Sequence, residues 1–117
     1  MYLSSVSHPW RLLTFSVMLS VLFAGAYVPA VGQAAGPWHF ELHFLAFGLV
    51  GVITAWALSR LSWRWHALLI VMIPLVHEVC EIWGHHHGLE TMDVMVDILG
   101  GLTGILLAQI LMRVGHH

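Results

Sequence analysis

Residues 94–112 read VMVDILGGLTGILLAQILM, a run of nineteen residues in which Asp97 is the single charged side chain. As a helix it rises about 28 Å, close to the ~30 Å hydrocarbon core of a bilayer. Working back through the chain, three more apolar stretches have comparable length: Trp65 to Trp83, Phe40 to Ser59, and Trp10 to Val28. Helix is the economical form for each, because an unpaired backbone N–H or C=O in lipid is costly. The breaks fall at Pro29, Gly32, Gly36 and Pro37, at Ser59 to Ser62, and at Gly84-His85-His86-His87-Gly88. Such short loops make sequence neighbours antiparallel. The expected fold is an all-α membrane protein, a four-transmembrane-helix antiparallel bundle in which residues 1–117 form one domain, with helices at about 10–28, 40–59, 65–83 and 94–112.

Composition agrees. The 117 residues are 59% hydrophobic and only 9% charged, with a mean hydropathy of +0.85, whereas soluble domains carry about 25% charged residues. The lipid bilayer is the first partner this implies, and four spans leave no length for a soluble catalytic domain. A net charge of -2 and a sequence without lysine give no electrostatic footprint for nucleic acid, which is excluded as a partner. A single cysteine, Cys80, forms no internal disulfide and says little about redox compartment. The unusual excess is in histidine, ten against four arginines.

Charge is sorted by side. Arg11 precedes the first span, Arg60 and Arg64 join the second to the third, and Arg113 closes the fourth, so all four share one face of the membrane. The positive-inside rule makes that face cytoplasmic, with both termini in the cytoplasm of a multi-pass protein of the inner or plasma membrane. All six acids lie on the outer half with His39, His43, His77 and His85 to His87, while Trp10, Trp38, Trp63, Trp65 and Trp83 sit near span ends as interface anchors. Arg11, an apolar run and the small residues Gly32 to Gly36 also follow the order of a secretory signal; the run is longer than a usual signal core, which favours a retained span.

The chemistry concentrates at the outer end. On the third span His77, Glu81 and His85 fall at i, i+4 and i+8 on one face, a candidate set for a divalent metal, with Glu78 beside it. On the second, His39 and His43 share a face. On the fourth, Asp93, Asp97, Gly101 and Gly104 share a stripe, and Gly100 with Gly104 has the Gly-x-x-x-Gly spacing of close helix contact. Counting inward at about 1.5 Å per residue puts His43, Glu81 and Asp97 within one turn of each other and Glu78 slightly deeper. Ionisable groups in a membrane usually face the bundle interior and are functional, so His43, Glu78, Glu81, Asp93 and Asp97 are the candidate ligand-binding residues. The alternative is that they lie in the headgroup zone and bond only to one another. His85, His86, His87 and Glu90 read as a solvated loop, His116 and His117 are given no role, and Pro74 predicts a kink one turn before His77. His77-Glu78-Val79-Cys80-Glu81 resembles a zincin helix but ends in Glu where the second His belongs, so a metalloprotease is excluded. No Ser-His-Asp set, phosphate loop or dinucleotide fingerprint is present.

These residues resemble the VanZ-like family of small membrane proteins, whose pattern is a His-Phe pair early in one helix and later Glu-x-x-Gln, an Arg, an Asp, then Asn-x-x-Gly. His43-Phe44 matches the first element, Glu78 the Glu, Asp93 the Asp, and Gly100 with Gly104 the glycines. Glu81 stands at the Gln, His87 at the Arg and Asp97 at the Asn; Phe40 replaces a Lys and Phe47 a Tyr. The resemblance covers about residues 40–112. It implies a cell-envelope role, the founding member being associated with resistance to glycopeptide antibiotics of the teicoplanin type. The departures remove two cations and add two carboxylates, which turns a site suited to an anionic or glycan-like group toward a cation.

The leading expectation is therefore a VanZ-like envelope protein binding a polar or cationic ligand at its outer cluster, a divalent metal being one candidate. The second is an accessory subunit of a larger membrane complex, or a homo-oligomer, whose histidines ligate a metal, haem or pigment or fill an interface. An enzyme ranks third: Glu78 and a neighbouring His supply acid and base, but no nucleophile is evident. A channel or transporter would require oligomers.

Overall fold

A computed structural model describes residues 9–27, 36–85 and 91–115. Val28, His86, His87, Glu90, His116 and His117, and the side chain of His85, lie outside the described residues. The described chain is helical: α1 (Pro9–Gly25), a 3-10 turn (Gly36–Trp38), α2 (His39–Ala57), α3 (Trp63–His85) and α4 (Thr91–Gly115). This is the all-α bundle expected from the apolar runs. Three helices, α2, α3 and α4, are long and apolar enough to cross a membrane. The fourth, α1, has 17 residues and rises about 26 Å, a few Å short of the hydrocarbon core. It ends at Gly25, and i→i+3 bonds from Ala26 to Phe23 and from Tyr27 to Ala24 tighten the exit.

Burial is inverted relative to a soluble protein. Outward positions are apolar, with Leu45 67% and Leu99 56% exposed, while Glu78 and Asp97 are each 1% exposed. That pattern fits lipid outside and a polar interior, and the chain is a multi-pass membrane protein. Hydroxyls on the helix surfaces conform: Thr14, Ser16, Ser20 and Thr103 each donate to the carbonyl four residues back, at 2.8 to 2.9 Å, so none faces lipid unmet. Trp38 and Trp83 stand exposed at one end of the bundle, Trp10, Trp63 and Trp65 at the other.

The most extensive helix contact is α2 against α4. Two helices separated by one hairpin partner run parallel, and glycines bring this pair together. A Cβ on Gly104 would overlap the Gly48 carbonyl oxygen, one on Gly51 the Gly101 carbonyl oxygen, and one on Gly100 would come 2.5 Å from the Phe44 oxygen. Gly101 instead faces the Ile70 side chain of α3, 2.9 Å from where its Cβ would stand. Apolar packing completes the bundle in two groups. Ala55, Ile70, Ile105 and Ala108 fill the space among α2, α3 and α4. Phe47, Val50 and Ile73 receive Phe15, Met18, Leu19, Leu22 and Phe23 of α1, which has no fully buried residue of its own.

The ends differ in charge. Arg11 donates to the Trp56 carbonyl at 3.2 Å and lies 4.9 Å from the Trp56 ring centre, and Trp10 meets the same ring edge-on at 4.8 Å. Buried His66 donates through Nε2 to the Leu58 carbonyl at 2.8 Å, tying the start of α3 to the end of α2. With Arg60, Arg64 and Arg113 exposed nearby in the turn and helix ends, this is the arginine end. The opposite end carries the acids.

Candidate functional site

At the acidic end two rungs join α2 to α4. His39 Nε2 donates to Asp93 Oδ1 at 2.8 Å, and His43 Nδ1 donates to Asp97 Oδ1 at 2.7 Å. The rungs share one sequence separation and recur at i and i+4 on both helices, as a parallel pair in constant register requires. The glycine contacts lie immediately beyond them, so the close approach of α2 and α4 holds imidazole and carboxylate at hydrogen-bonding distance. His39 and His43 also lie against each other, ring centres 4.4 Å apart.

From the other side α3 brings Glu78 and Glu81. Donor atoms of Glu78, Glu81 and Asp93 lie within 4.8 Å of one another, and so do those of His39, His43 and Asp93. Asp93 is common to both sets. His77 Nδ1 stands 3.4 Å from Glu81 Oε1, and its ring is held between Phe23 and Phe47, with centres at 5.8 and 5.5 Å. Phe47 also stacks on His43 at 6.4 Å. The aromatic rings thus border the site on the side toward the bilayer centre.

The site is buried: Glu78, Glu81, Asp93, Asp97 and His77 are all inaccessible or nearly so. Along the helices it lies about 3 to 12 Å inside the described ends, from Asp93 on α4 to His77 on α3. Asp97 Oδ2 is buried with no hydrogen-bond partner among the described residues. Every arginine is at the opposite end and the chain has no lysine, so no permanent side-chain cation balances the four carboxylates.

The candidate ligand-binding residues and the packing glycines all fall among the described residues. His43, Glu78, Glu81, Asp93 and Asp97 come together from α2, α3 and α4, and Gly100, Gly101 and Gly104 face α2 or α3. The single-helix metal set of His77, Glu81 and His85 includes a side chain, that of His85, which lies outside the described residues; among the described residues His77 Nδ1 lies near Glu81 Oε1, and two three-donor sets are found. The two sets found draw ligands from α2 with α4 and from α3 with α4. His39 enters the site through its rung to Asp93; its i, i+4 relation to His43 was the available signal. Imidazole and carboxylate can hold a metal ion, exchange a proton or bind an organic cation. No protein-family model, curated protein or solved structure matches the chain.

Proposed function

We propose that this chain is a VanZ-like membrane protein of the cell envelope that binds a cation in the His/Glu/Asp cluster at the outer end of its bundle. The observation that carries the reading is the burial of Glu78, Glu81, Asp93 and Asp97 together, with all arginines at the other end. Two like charges 4.8 Å apart repel by about 3–4 kcal/mol even at an effective dielectric near 20. Three carboxylates within that distance, plus a fourth one turn away, are not ionised together unless positive charge enters. The neighbouring imidazoles supply part of it when protonated, and a bound cation supplies the rest.

The family reading draws support from where the matching residues lie. His43, Glu78 and Asp93 carry the resemblance, and they lie in the two sets that meet; Gly100 and Gly104 carry it too, and they set the helix approach beneath. The departures point the same way as the electrostatics, since Glu81 and Asp97 add carboxylates where the family pattern has amides. The outer location follows from placing the arginine end in the cytoplasm.

The test is thermal unfolding of detergent-purified protein with sodium, calcium, manganese(II), zinc(II) and a polyamine in turn, for wild type and a Glu78→Gln, Asp97→Asn variant. A ligand at 100 times its Kd stabilises by about 2.7 kcal/mol. At least one cation is expected to raise the wild-type melting temperature by several degrees and leave the variant unmoved. Wild type indifferent to every one of them would overturn the reading.

A further inference from the structure

Asp93 belongs to two three-donor sets at once, and a carboxylate has two oxygens. We propose that the acidic end holds two divalent first-row transition-metal ions, one between His39 and His43 and one between Glu78 and Glu81, bridged by the Asp93 carboxylate. The proposal rests on the cation-binding reading and names its ligand class.

Donor chemistry selects the class. The two imidazoles of the His39, His43 and Asp93 set disfavour calcium and magnesium, which take oxygen ligands, and suit first-row transition metals; the Glu78, Glu81 and Asp93 set offers carboxylate oxygens alone, and manganese(II) accepts both donor sets. The geometry is close to what two such ions need. Ligand atoms about 2.0–2.2 Å from one ion lie about 3.3 Å from each other, and each three-donor set already falls within 4.8 Å. His39 Nε2 and Asp93 Oδ1, now 2.8 Å apart across a shared proton, need open only slightly to take an ion in its place. A bridging carboxylate holds two ions about 3.5–4 Å apart.

Asp97 supplies the independent observation. Its Oδ1 accepts from His43 Nδ1 at 2.7 Å, which fixes the tautomer and leaves Nε2 as the ligating nitrogen, the carboxylate–imidazole–metal arrangement in which an outer carboxylate orients the ligand. Its Oδ2 is buried and unpartnered among the described residues, a cost that positive charge in the cluster removes. Charge decides between one ion and two: four buried carboxylates are neutralised in full by two divalent ions and only half neutralised by one. The ligands come from three helices, and the glycine-mediated approach of α2 and α4 sets the spacing of both rungs before any ion arrives.

The experiment uses full-length protein in detergent, equilibrated with manganese(II) alone, desalted, and analysed for metal per chain and by electron paramagnetic resonance. Wild type is expected to carry two ions with an exchange-coupled spectrum, its hyperfine spacing halved relative to a lone ion. His39→Ala with His43→Ala, and separately Glu78→Gln with Glu81→Gln, should each leave one ion and an uncoupled spectrum. Asp97→Asn should weaken one ion by about 10- to 100-fold and leave the other unchanged, a split that general loss of structure would not produce. Wild-type stoichiometry and spectrum decide even if a variant fails to fold. One ion per chain, no ion, or two uncoupled ions overturns the proposal, as do two ions surviving both double substitutions, which would place them on other histidines. Absence of metal in protein still stabilised by another cation would end this proposal and leave the cation site standing; absence of both would end both.

Discussion

Asp97 has one oxygen bonded to His43 and the other buried without a partner among the described residues, so its charge destabilises the unliganded protein and serves the liganded one. Asp97→Asn keeps an acceptor for His43 and removes the charge. In metal-free buffer the variant is expected to melt at or above the wild-type temperature, because an uncompensated buried charge costs a few kcal/mol; with saturating manganese(II) the order should reverse. Melting curves with and without the ion check both halves, and a variant less stable in each would refute the charge argument. Thr54 offers a plainer case. Thr14, Ser16, Ser20 and Thr103 bond their own helix, but Thr54 Oγ1 is buried and unpartnered among the described residues. Thr54→Val replaces it with a methyl of the same shape and should stabilise by about 1 kcal/mol, read as a higher melting temperature. At this scale the sequence is informative about which residues are polar in an apolar run, and His43, Glu78, Glu81, Asp93 and Asp97 stand out for that reason alone. It is silent about pairing. Spacing along one helix brings His39 near His43 and Glu78 near Glu81, but Asp93 joins each pair from α4, and inter-helix register is not contained in any single helix's period.

At the scale of elements, the α2–α4 seam positions the site. The Gly100 and Gly104 spacing is visible in sequence; that Gly48 and Gly51 of α2 answer it becomes evident only once the two helices are known to be parallel neighbours. A methyl group on Gly104 or Gly51 would overlap a backbone carbonyl of the facing helix, which cannot move without the helix. One on Gly48 would come 3.6 Å from the Gly100 oxygen, ordinary contact. Gly104→Ala and Gly51→Ala should therefore cost about 1–3 kcal/mol as overpacking and also weaken cation binding, because spreading the seam lengthens both His–Asp rungs. Gly48→Ala should be neutral or slightly stabilising, since alanine favours helix by up to about 1 kcal/mol. Equal effects at Gly48 and Gly104 would contradict this account of the seam. Helix limits were legible to within a few residues, and the errors have physical causes. Hydropathy carries the first span to Val28 because Ala26 and Tyr27 are not polar, yet the helix closes at Gly25. It stops the third and fourth spans early, at Trp83 and Met112, because helices continue past the apolar slab: α3 runs on through Gly84 to His85, and α4 covers Thr91–Gly115.

The whole molecule is 45 Å long and 26 by 22 Å across, a rod matched to a bilayer with its headgroup regions, about 40–45 Å, and its two ends carry opposite charge. Which end faces the cytoplasm decides where the cation comes from. Four arginines and no lysine are few, but they lie in short loops and at helix ends, where the positive-inside bias is read, and acidic residues weigh little in that bias. The arginine end is thus expected in the cytoplasm and the acidic end outside. In a Cys80→Ser background, Glu41→Cys stands exposed in the first turn of α2 at the acidic end, and Ser62→Cys in the turn before α3 at the arginine end. A membrane-impermeant maleimide applied to intact cells should label Glu41→Cys and leave Ser62→Cys unlabelled until the membrane is opened. The same experiment tests the site: manganese(II) added outside should slow labelling at Glu41→Cys, two residues from both His39 and His43, without touching the rate at Ser62→Cys in opened cells. The reverse labelling pattern would turn the carboxylates toward the cytoplasm, where they would draw on the cell's own metal pool, and the envelope role would lose its structural argument while the bundle and its two ligand sets stood unchanged.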